Sequence, residues 1–330
     1  MQRISLVNLM ASESQSDTFR IGFFLLPNFS MMAFASAIEP LRSANRLTEK
    51  PLFDWVIASE NEQYTMASNG VEVAATTQIE DLINCRLIFI CGGINIQHHT
   101  TKSVISALRM IDRHGVLIGA ICTGTYVLAK AGLLEDRRCT IHWENIPSFM
   151  EEYPDLDVVP ELFEIDRNRY TCAGGTAALD MSLKLIALHY DNAIASQVAD
   201  MLIHHRIRDG DEGQRMELRT RLGVSHPKLL EVIAEMERNL EEPVNCADLA
   251  DGVGLSTRQL ERLFRKYLST APTKYYLAMR LSRARFLLRQ TSLPILSVAL
   301  ACGFVSASHF SKCYREHFSR TPSEERRPEA

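Results

Sequence analysis

The chain has 330 residues, 46 % of them hydrophobic and 23 % charged, and a net charge of −4 at pH 7. This length is enough for two ordinary domains, each with a core of its own. The charge is unevenly divided, because residues 243–330 carry 14 Lys and Arg against 7 Asp and Glu, whereas residues 1–242 carry 22 against 33. The basic end is typical of a module that contacts phosphate, and the acidic remainder predicts a different task for the rest of the chain.

Several classes of protein are excluded by the sequence. There is no run of 18 apolar residues, so we expect no membrane span. The eight cysteines form no Cys-x-x-Cys pair and no signal peptide is found, which predicts a cytoplasmic protein in a reducing compartment. The histidine pairs at 98–99 and 204–205 are adjacent residues that do not share a helix face, and we expect neither a metal site nor a cofactor.

From residue 19 to residue 205 the sequence alternates between strand-like and helix-like segments, after a polar start (1–18) that we expect to be a flexible tail. Apolar runs typical of buried strands lie at 19–26, 53–58, 86–91 and 116–121. Helical segments between them lie at 31–41 and 100–114. The alternation predicts a flavodoxin-like α/β domain: a parallel sheet with helices on both faces and a ligand site beyond the carboxyl ends of the strands.

The segment 119–126, Gly-Ala-Ile-Cys-Thr-Gly-Thr-Tyr, predicts a sharp strand-to-helix turn, hereafter the elbow, with Cys122 at its tip. Small residues on both sides let the backbone turn and leave the thiol beside a helix N-terminus. In that position its pKa would be lowered and backbone N–H groups would face an anion. A helix at 128–134 and a strand at 140–143 follow, and segment 173–180 predicts a second strand-to-helix turn with open backbone.

These strand ends supply the candidate ligand-binding residues. Glu39, late in the first helix, either reaches the pocket or is a solvated helix end. Trp143 is either part of the core or an aromatic face for a cationic ligand. The predicted ligand-binding residues are Glu39, Gly92, Gly93, Cys122, Thr123, Gly124, His142, Trp143, Gly175 and Thr176.

A charged connector follows at 206–225, in which Asp-Gly-Asp-Glu-Gly (209–213) predicts a flexible break between two domains. Ser225 and Pro227 then predict the N-cap and the first turn of a helix that opens a second domain over 226–325. A hinge of this length would let the domain at 19–205 move relative to the second one.

The second domain contains the same pattern twice, 49 residues apart. The first repeat (250–264) reads Ala-x3-Gly-Leu and then Leu-x3-Phe, and the second repeat (299–314) reads Ala-x3-Gly-Phe and then Phe-x3-Tyr. In each repeat a small Ala lets two helices cross closely, a Gly takes a tight turn, and two apolar residues one helical turn apart anchor the second helix. The pattern predicts two helix-turn-helix motifs.

The second helix of each repeat has an outward face of polar and cationic residues. Arginines on such a face can pair bidentately with guanine edges in the major groove, for about 1–3 kcal/mol of discrimination each. Small residues followed by a cation suit close approach to bases with a phosphate anchor behind. Two solvated basic helices in an interaction domain are the alternative, which does not explain the repeated turn. The predicted DNA-binding residues are Thr257, Arg258, Glu261, Arg262 and Arg265 in the first such helix, and Ala307, Ser308, Ser311, Lys312 and Arg315 in the second.

Residues 226–325 resemble the DNA-binding domain of AraC/XylS transcription regulators, with the signature of that family in 303–312 and 318–322. The resemblance implies seven helices, with two recognition helices that enter successive major-groove segments on one face of the duplex. A linker helix at 273–289 would hold them about 34 Å apart, one turn of DNA. By the resemblance, base or backbone contacts fall on Arg258, Glu261, Arg262, Ala307, Ser308, Ser311 and Lys312. Ala307 departs from the polar residue often found at its position.

Residues 19–195 resemble the PfpI-like (class I glutamine-amidotransferase-like) superfamily, in particular its GlxA subgroup, which is fused to AraC-type domains. The matching stretches are 23–27, 90–93, 120–132, 140–143 and 173–180. Enzymes of the superfamily use the elbow Cys as nucleophile, with a His beside it and an acid from the first helix. Here Thr123 follows Cys122 and Ala33 stands at the acid position, with His142 as an alternative base. The resemblance therefore implies a former active site kept as a small-molecule pocket.

The expected function is a sequence-specific transcription regulator, an activator controlled by a small metabolite, and not an enzyme. Resemblance to members that respond to amino acids and quaternary amines suggests an effector of that kind. The expected partners are double-stranded promoter DNA, the effector, RNA polymerase and a second copy of the chain. One alternative is a bifunctional protein whose front domain is a Cys-dependent amidase or glyoxalase-like hydrolase. Another is a front domain that only dimerises.

Overall fold

The computed structural model describes residues 18–60, 63–291 and 293–326. The predicted flexible tail (1–18) therefore lies, apart from Thr18, outside the described residues. The chain divides into two compact units. We call them the first unit (Met1–His142 with Leu156–Glu212) and the second unit (Trp143–Asp155 with Gly213–Ala330).

The first unit is built on strands, and its largest sheet has seven of them. The strands are β1 (Phe19–Leu25), β2 (Phe53–Ser59), β3 (Tyr64–Met66), β4 (Glu72–Ala74), β5 (Thr77–Gln78), β6 (Leu87–Cys91), β7 (Leu117–Ile121), β8 (Arg138–Cys139), β9 (Asp157–Val158), β10 (Phe163–Asp166) and β11 (Arg169–Cys172). The seven-stranded sheet has the order β10-β11-β7-β6-β1-β2-β5, while β3 pairs with β4 and β8 with β9. Neighbouring strands of the large sheet are parallel except at the β10–β11 edge. The predicted parallel sheet is confirmed.

Helices cover both faces of this sheet, as the alternating segments predicted. The helices of the first unit are α1 (Met31–Thr48), α2 (Ile96–His99), α3 (Lys102–Arg113), α4 (Gly124–Lys130), α6 (Ala177–His189) and α7 (Asn192–Met201), with a 3-10 helix at Ile79–Asn84. Phe23 of β1 is fully buried in a core shared with Ala37 of α1 and Met181 of α6. The next position, Gly22, faces the other side, where a Cβ atom would lie 2.7 Å from Leu82 of the 3-10 helix.

The predicted strand at 140–143 is wrong, because β8 ends at Cys139 and residues 140–142 are irregular. The Thr140 N–H donates to the Thr171 hydroxyl at 3.0 Å, and the Thr140 carbonyl accepts from the Thr125 hydroxyl at 2.8 Å. Side chains therefore occupy the backbone groups that a strand ladder would use.

The second unit is helical. Its helices are α5 (Ile146–Glu152), α8 (Leu218–Leu222), α9 (Pro227–Arg238), α10 (Cys246–Gly252), α11 (Thr257–Leu268), α12 (Pro272–Gln290), α13 (Ile295–Ala301), α14 (Ala307–Phe318) and α15 (Pro322–Glu325). Within the described residues from 227 onwards there are seven helices, and α12 is the expected linker helix. α9 begins one residue later than predicted, because the His226 side chain rather than Ser225 accepts from the backbone N–H of Leu229.

Two hydrophobic clusters form the core of residues 224–318, one for each repeat. The first includes Leu229 of α9 with Leu260 and Phe264 of α11, and the second includes Phe310 and Tyr314 of α14. The linker helix α12 supplies side chains to both: its Tyr276 lies in the first cluster and its Leu281, Ala284, Leu287 and Leu288 lie in the second. Each repeat is therefore packed around its own core, and α12 joins the two.

Two segments belong to a different unit from the one that the sequence suggested. Residues 143–155 lie in the second unit, where the Asn145 amide donates to Gln290 at 3.2 Å and α5 packs against α12. Residues 206–212, placed in the predicted linker, lie in the first unit. They are held there because the Arg208 side chain and backbone N–H both donate to the buried Asp180 carboxylate.

The structure also bears on the expectations about membrane spans and disulfides. Over the residues that the structure describes, no helix is both long enough and apolar enough to cross a membrane. All eight cysteines of the sequence are described, and each is a free thiol.

Candidate functional site

The elbow is formed as predicted, between β7 and α4. Cys122 has φ of 61°, a left-handed conformation that non-glycine residues rarely adopt, and its N–H donates to the Cys172 carbonyl at 2.9 Å. Backbone outliers of this kind collect at functional sites because the surrounding structure must hold them in place. Cys122 is buried, with 8 % of its surface exposed.

Three of the predicted glycines hold the elbow together through close backbone contacts. A Cβ atom on Gly124 would lie 2.0 Å from the Ile90 carbonyl oxygen, and one on Gly93 would lie 1.9 Å from the Asn28 carbonyl oxygen. A Cβ on Gly92 would lie 2.4 Å from the Gly124 nitrogen. A side chain at Gly92 or Gly124 would separate β6 from the start of α4, and one at Gly93 would displace the loop that follows β1. The three glycines therefore have a structural reason to be present that requires no ligand.

The second predicted turn lies against the elbow. Gly174 has φ of +93°, and a Cβ atom there would lie 2.8 Å from Cys122 Cβ. Gly175 has φ of +56°, but a Cβ atom there would meet nothing within 4 Å. Next to it, the Thr176 hydroxyl accepts from the Arg208 guanidinium at 2.7 Å. The backbone at Gly175 thus borders open space one residue away from the contact between Gly174 and Cys122.

The two positions at which a base and an acid were sought in the sequence hold Thr123 and Ala33. The Thr123 hydroxyl donates to the Gly93 carbonyl at 2.7 Å, a contact that joins the elbow to the residues after β6. Ala33, buried in the first turn of α1, has no ionisable group. Burial raises the pKa of Cys172 to about 12, and burial together with the neighbouring Cys122 raises that of Cys91 still further. These two thiols therefore remain protonated at neutral pH.

Two predicted ligand-binding residues have other partners. Glu39 lies about two helical turns from the start of α1, where its carboxylate pairs with Arg42 at 2.7 Å and is 45 % exposed. Trp143 belongs to the second unit, in which the Arg215 guanidinium lies 4.7 Å above its ring. Glu39 is therefore a half-exposed, ion-paired residue in the middle of α1 and not a helix end, because α1 continues through Pro40 to Thr48. The face of the Trp143 ring is already in contact with the Arg215 guanidinium.

Two polar residues near the elbow were missed. Asn28, just after β1, has φ of 61°, and its side chain contacts the His99 ring of α2 at 3.4 Å. Asn28 was not among the predicted site residues, and His99 was considered only as one of a histidine pair. Both follow strands of the sheet, so their place at the edge where ligands bind was the available signal.

A recess of about 240 Å³ lies between α6, α7 and residues 207–210 of the first unit, away from the elbow residues 119–126. Its polar lining includes Lys184, Asn192, Ser196 and Asp209. Beside it, the side chain of Asp180 is fully buried and accepts from Arg208 at 2.6 Å and from His204 Nε2 at 2.8 Å. The guanidinium of Arg208 neutralises this buried carboxylate and the imidazole of His204 bonds to one of its oxygens, which explains His204 without a metal.

The second unit presents both predicted recognition helices with one face buried and one exposed. In α11, Leu260 and Phe264 are fully buried, whereas Thr257, Arg258, Glu261, Arg262 and Arg265 are all exposed. Ser256 caps this helix and forms a reciprocal capping box with Gln259. In α14, Phe310 and Tyr314 are fully buried; Ser308, Lys312 and Arg315 are exposed, and Ala307 and Ser311 are half-buried.

The two turns repeat in their hydrogen bonds as well as in sequence. Leu255 N–H donates to the Ala250 carbonyl at 2.9 Å, and 49 residues later Phe304 N–H donates to the Ala299 carbonyl at 2.9 Å. Gly254 and Gly303 both have positive φ, of +63° and +73°. These bonds close the first helix of each repeat in the way that left-handed glycines commonly do. The two predicted helix-turn-helix motifs are confirmed.

The described residues, 18–60, 63–291 and 293–326, contain no group of three or more His, Cys, Asp or Glu that could hold a metal ion. The structure therefore offers no candidate metal centre within those ranges.

Comparison with known proteins agrees with this two-part organisation. Residues 20–188 match the DJ-1/PfpI family and residues 249–328 match a helix-turn-helix domain. The chain is 47 % identical to the HTH-type transcriptional regulator CdhR of Pseudomonas aeruginosa over 304 residues, 92 % of this chain and 90 % of that protein. It is 38 % identical to the HTH-type transcriptional regulator GlxA of Rhizobium meliloti over 320 residues, 97 % of this chain and 99 % of that protein.

A solved structure of an AraC family transcriptional regulator from Pseudomonas putida is similar to part of the chain. It has a TM-score of 0.52 and 29 % sequence identity, and the match covers 56 % of this chain and 99 % of that one.

Proposed function

The chain belongs to the HTH-type transcriptional regulators that join a DJ-1/PfpI domain to an AraC-type helix-turn-helix domain, and we propose that its first unit binds a small metabolite at the elbow without catalysis. The observation that carries the proposal is the state of the elbow. Its backbone keeps the left-handed Cys122, while the neighbouring positions hold Thr123 and Ala33 instead of a base and an acid. Without the His and the acid that enzymes of the superfamily place beside the Cys, Cys122 is poorly equipped for catalysis, but the surrounding backbone still suits a small ligand.

The proposed effector site consists of Cys122, Thr123, Gly175, Thr176 and His142, all in the first unit. Open space at Gly175 and positive φ at three neighbouring positions of the two turns favour contacts to backbone N–H groups. Such groups suit the carboxylate of an amino acid or of a betaine, and this is the ligand class that we propose. Glu39 and Trp143 are left out because Arg42 and Arg215 already engage them.

In the second unit, we propose that DNA is contacted by the ten outward residues of α11 and α14. They lie opposite the buried stripes of these helices, and the module that contains them has a net charge of +7 over residues 243–330. Arg258 and Arg262 are suited to base edges, and Arg265, Lys312 and Arg315 to phosphates. The remaining five are Thr257, Glu261, Ala307, Ser308 and Ser311.

We further propose that the protein acts as a homodimer in the cytosol. The dimer has arrangements that differ in how they engage promoter DNA, and the effector binds these arrangements with unequal affinity. RNA polymerase would be recruited as the downstream partner of an activator. A typical coupling free energy of 1–3 kcal/mol between effector and DNA would correspond to a change of about 5- to 150-fold in DNA affinity.

A thermal-shift screen of the full-length protein against amino acids, betaines and polyamines tests the effector site. A ligand at 100 times its Kd should stabilise the protein by about 2.7 kcal/mol. The shift should persist in Cys122→Ala, because no covalent step is involved. It should disappear in Gly175→Asn, since Asn tolerates positive φ but places a side chain in the open space.

The matched control is Gly115→Asn. Gly115 also has positive φ (+78°) with nothing within 4 Å of a Cβ atom, but it lies between α3 and β7. This variant should keep the full shift. A shift lost in Lys184→Ala but kept in Gly175→Asn would assign the effector to the α6–α7 recess and refute the elbow site.

The retained strain at Cys122 is the one observation that favours a catalytic first unit, because a nucleophile elbow has the same backbone. An amidase or glyoxalase-like hydrolase predicts turnover by the purified wild-type protein that vanishes in Cys122→Ala. We expect no turnover that depends on Cys122.

A further inference from the structure

The turn of the second repeat is held by a side chain from the linker helix. Arg280 of α12 donates from Nε to the Cys302 carbonyl at 2.8 Å and from Nη2 to the Gly303 carbonyl at 2.6 Å. These carbonyls lie at the C-terminal end of α13, where unpaired acceptors and the helix dipole favour a cation. One guanidinium thus fixes two consecutive peptide groups of the turn, a geometry that a lysine could not reproduce.

The same guanidinium reaches the inner face of the recognition helix through one aromatic ring. It lies 4.3 Å from the centre of the Phe304 ring, which is 1 % exposed. The Phe304 ring in turn lies 5.1 Å from the ring of Phe310, the buried anchor of α14. Burial lowers the pKa of Arg280, as expected for a cation removed from water. A substitution of Arg280 would therefore alter the packing of Phe304 against Phe310, the residue that anchors α14 in the core.

The opposite side of this turn packs against the first half of the module. A Cβ atom on Gly303 would lie 2.5 Å from Pro243 Cγ and 2.8 Å from the Leu240 carbonyl oxygen, both between α9 and α10. One helical turn before Arg280 on α12, the Tyr276 hydroxyl donates to the Asn239 carbonyl at the end of α9. Tyr276 and Arg280, one helical turn apart on α12, therefore hold the end of α9 and the second turn side by side.

The first repeat has a much weaker counterpart. There Lys228 of α9 donates to the Gly254 carbonyl at 3.2 Å, from an exposed position and with a single hydrogen bond. A Cβ atom on Gly254 would meet only the Lys228 ammonium group, at 3.6 Å. In both repeats a cationic side chain donates to the carbonyl of the turn glycine. Only in the second repeat is that side chain a guanidinium with two hydrogen bonds, and only there do neighbouring residues pack closely around the glycine.

We propose that Arg280 is a positioning residue that sets the orientation of α14 relative to α11, and so determines how the second recognition helix reads its segment of DNA. The proposal concerns DNA readout and does not depend on the effector site. Arg280 faces the turn and the core, so its effect on readout would be exerted through Phe304 and Phe310.

The test uses the full-length protein and a DNA duplex selected by the wild type from a random library. A photoreactive residue in place of Arg258 or of Ser308 assigns each segment of the duplex to α11 or to α14. In the wild type, each mismatched base pair in either segment should weaken binding by about 5- to 150-fold. In Arg280→Ala, mismatches in the α14 segment should cost less than about twofold, while those in the α11 segment should keep their wild-type penalties.

This pattern separates positioning from general loss of structure, because a partly unfolded protein would lose affinity for all sequences in proportion. Lys274→Ala is the charge-matched control, because Lys274 is an exposed cation on the same helix, and it should keep both sets of penalties. Lys228→Ala should also keep both, and Arg280→Lys should restore little, since it keeps the charge without the paired donors. Penalties in the α14 segment that remain at wild-type size in Arg280→Ala, or that fall equally in both segments, would overturn the proposal.

Discussion

The elbow of the first unit and the two turns of the second unit use the same local device with opposite surroundings. In each, a residue with positive φ (Cys122, Gly254 or Gly303) ends one element shortly before a helix begins. Around the elbow, however, six consecutive residues of α4 from Gly124 to Ala129 are buried, whereas α11 and α14 each leave one face exposed. A helix start enclosed by its fold can admit only a small molecule, while an exposed helix face can meet a duplex. The partners that we propose, a small molecule for the elbow and a duplex for α11 and α14, follow from the burial of the neighbouring residues more than from the turn itself.

The largest expected effect separates the two faces of α14. Phe310→Ala removes a fully buried ring and should lower the free energy of unfolding of the second unit by about 3–5 kcal/mol. Lys312→Ala, two residues away on the exposed face, should change it by less than about 0.5 kcal/mol. Urea titrations followed by circular dichroism measure both. Equal losses in the two variants would mean that the helix is not seated as described.

The next effect separates the two turns. Gly254→Ala should cost about 1–2 kcal/mol of stability, because only the left-handed backbone opposes it. Gly303→Ala should cost about 1–3 kcal/mol more, because the new Cβ overlaps Pro243 and the Leu240 carbonyl. Thermal unfolding of the two variants side by side gives the difference. A smaller loss at Gly303 would contradict the enclosed second turn.

A smaller effect concerns base readout by α11. Arg262 is exposed on the outward face, and Arg262→Ala should cost about 1–3 kcal/mol of discrimination at one base pair of the selected site. Binding to a set of duplexes that differ at single positions measures this loss. If the variant kept the wild-type preference at every position, Arg262 would not be a base-reading residue.

The smallest expected effect concerns a phosphate contact on the same helix. Arg265→Ala should weaken binding to all duplexes alike and reduce the slope of log K against log salt by about 0.9. Isotherms at four or more salt concentrations determine the slope. A loss confined to some sequences would place Arg265 on the bases instead.

The same comparison shows how much could be predicted from the sequence. Both repeats, the linker helix and the exposed faces of α11 and α14 follow from spacing and periodicity, which are local properties of the chain. The elbow and the sheet were predicted for the same reason. The strand expected at 140–143 failed because Thr140 is bonded by the side chains of Thr125 and Thr171, which are distant in sequence. The Asp180–Arg208 pair likewise joins residues that periodicity cannot bring together.

The candidate site was harder to predict than the fold. Gly92, Gly93 and Gly124 were identified, but the structure shows backbone packing as a sufficient reason for each. Trp143 was predicted at the pocket as an aromatic face for a cationic ligand, yet the chain passes into the second unit between His142 and Trp143. Arg280 was not singled out at all, since an arginine in an amphipathic helix gives no sign of its partners until the turn carbonyls are located.

The central claim is that the elbow binds a metabolite that controls DNA binding without covalent chemistry. Its most direct test is the affinity of the full-length protein for its selected duplex, with and without the compound that gives a thermal shift, in wild type, Cys122→Ala and Gly175→Asn. The account predicts a change of about 5- to 150-fold in wild type and in Cys122→Ala, and none in Gly175→Asn. A change that is lost in Cys122→Ala and kept in Gly175→Asn would contradict it.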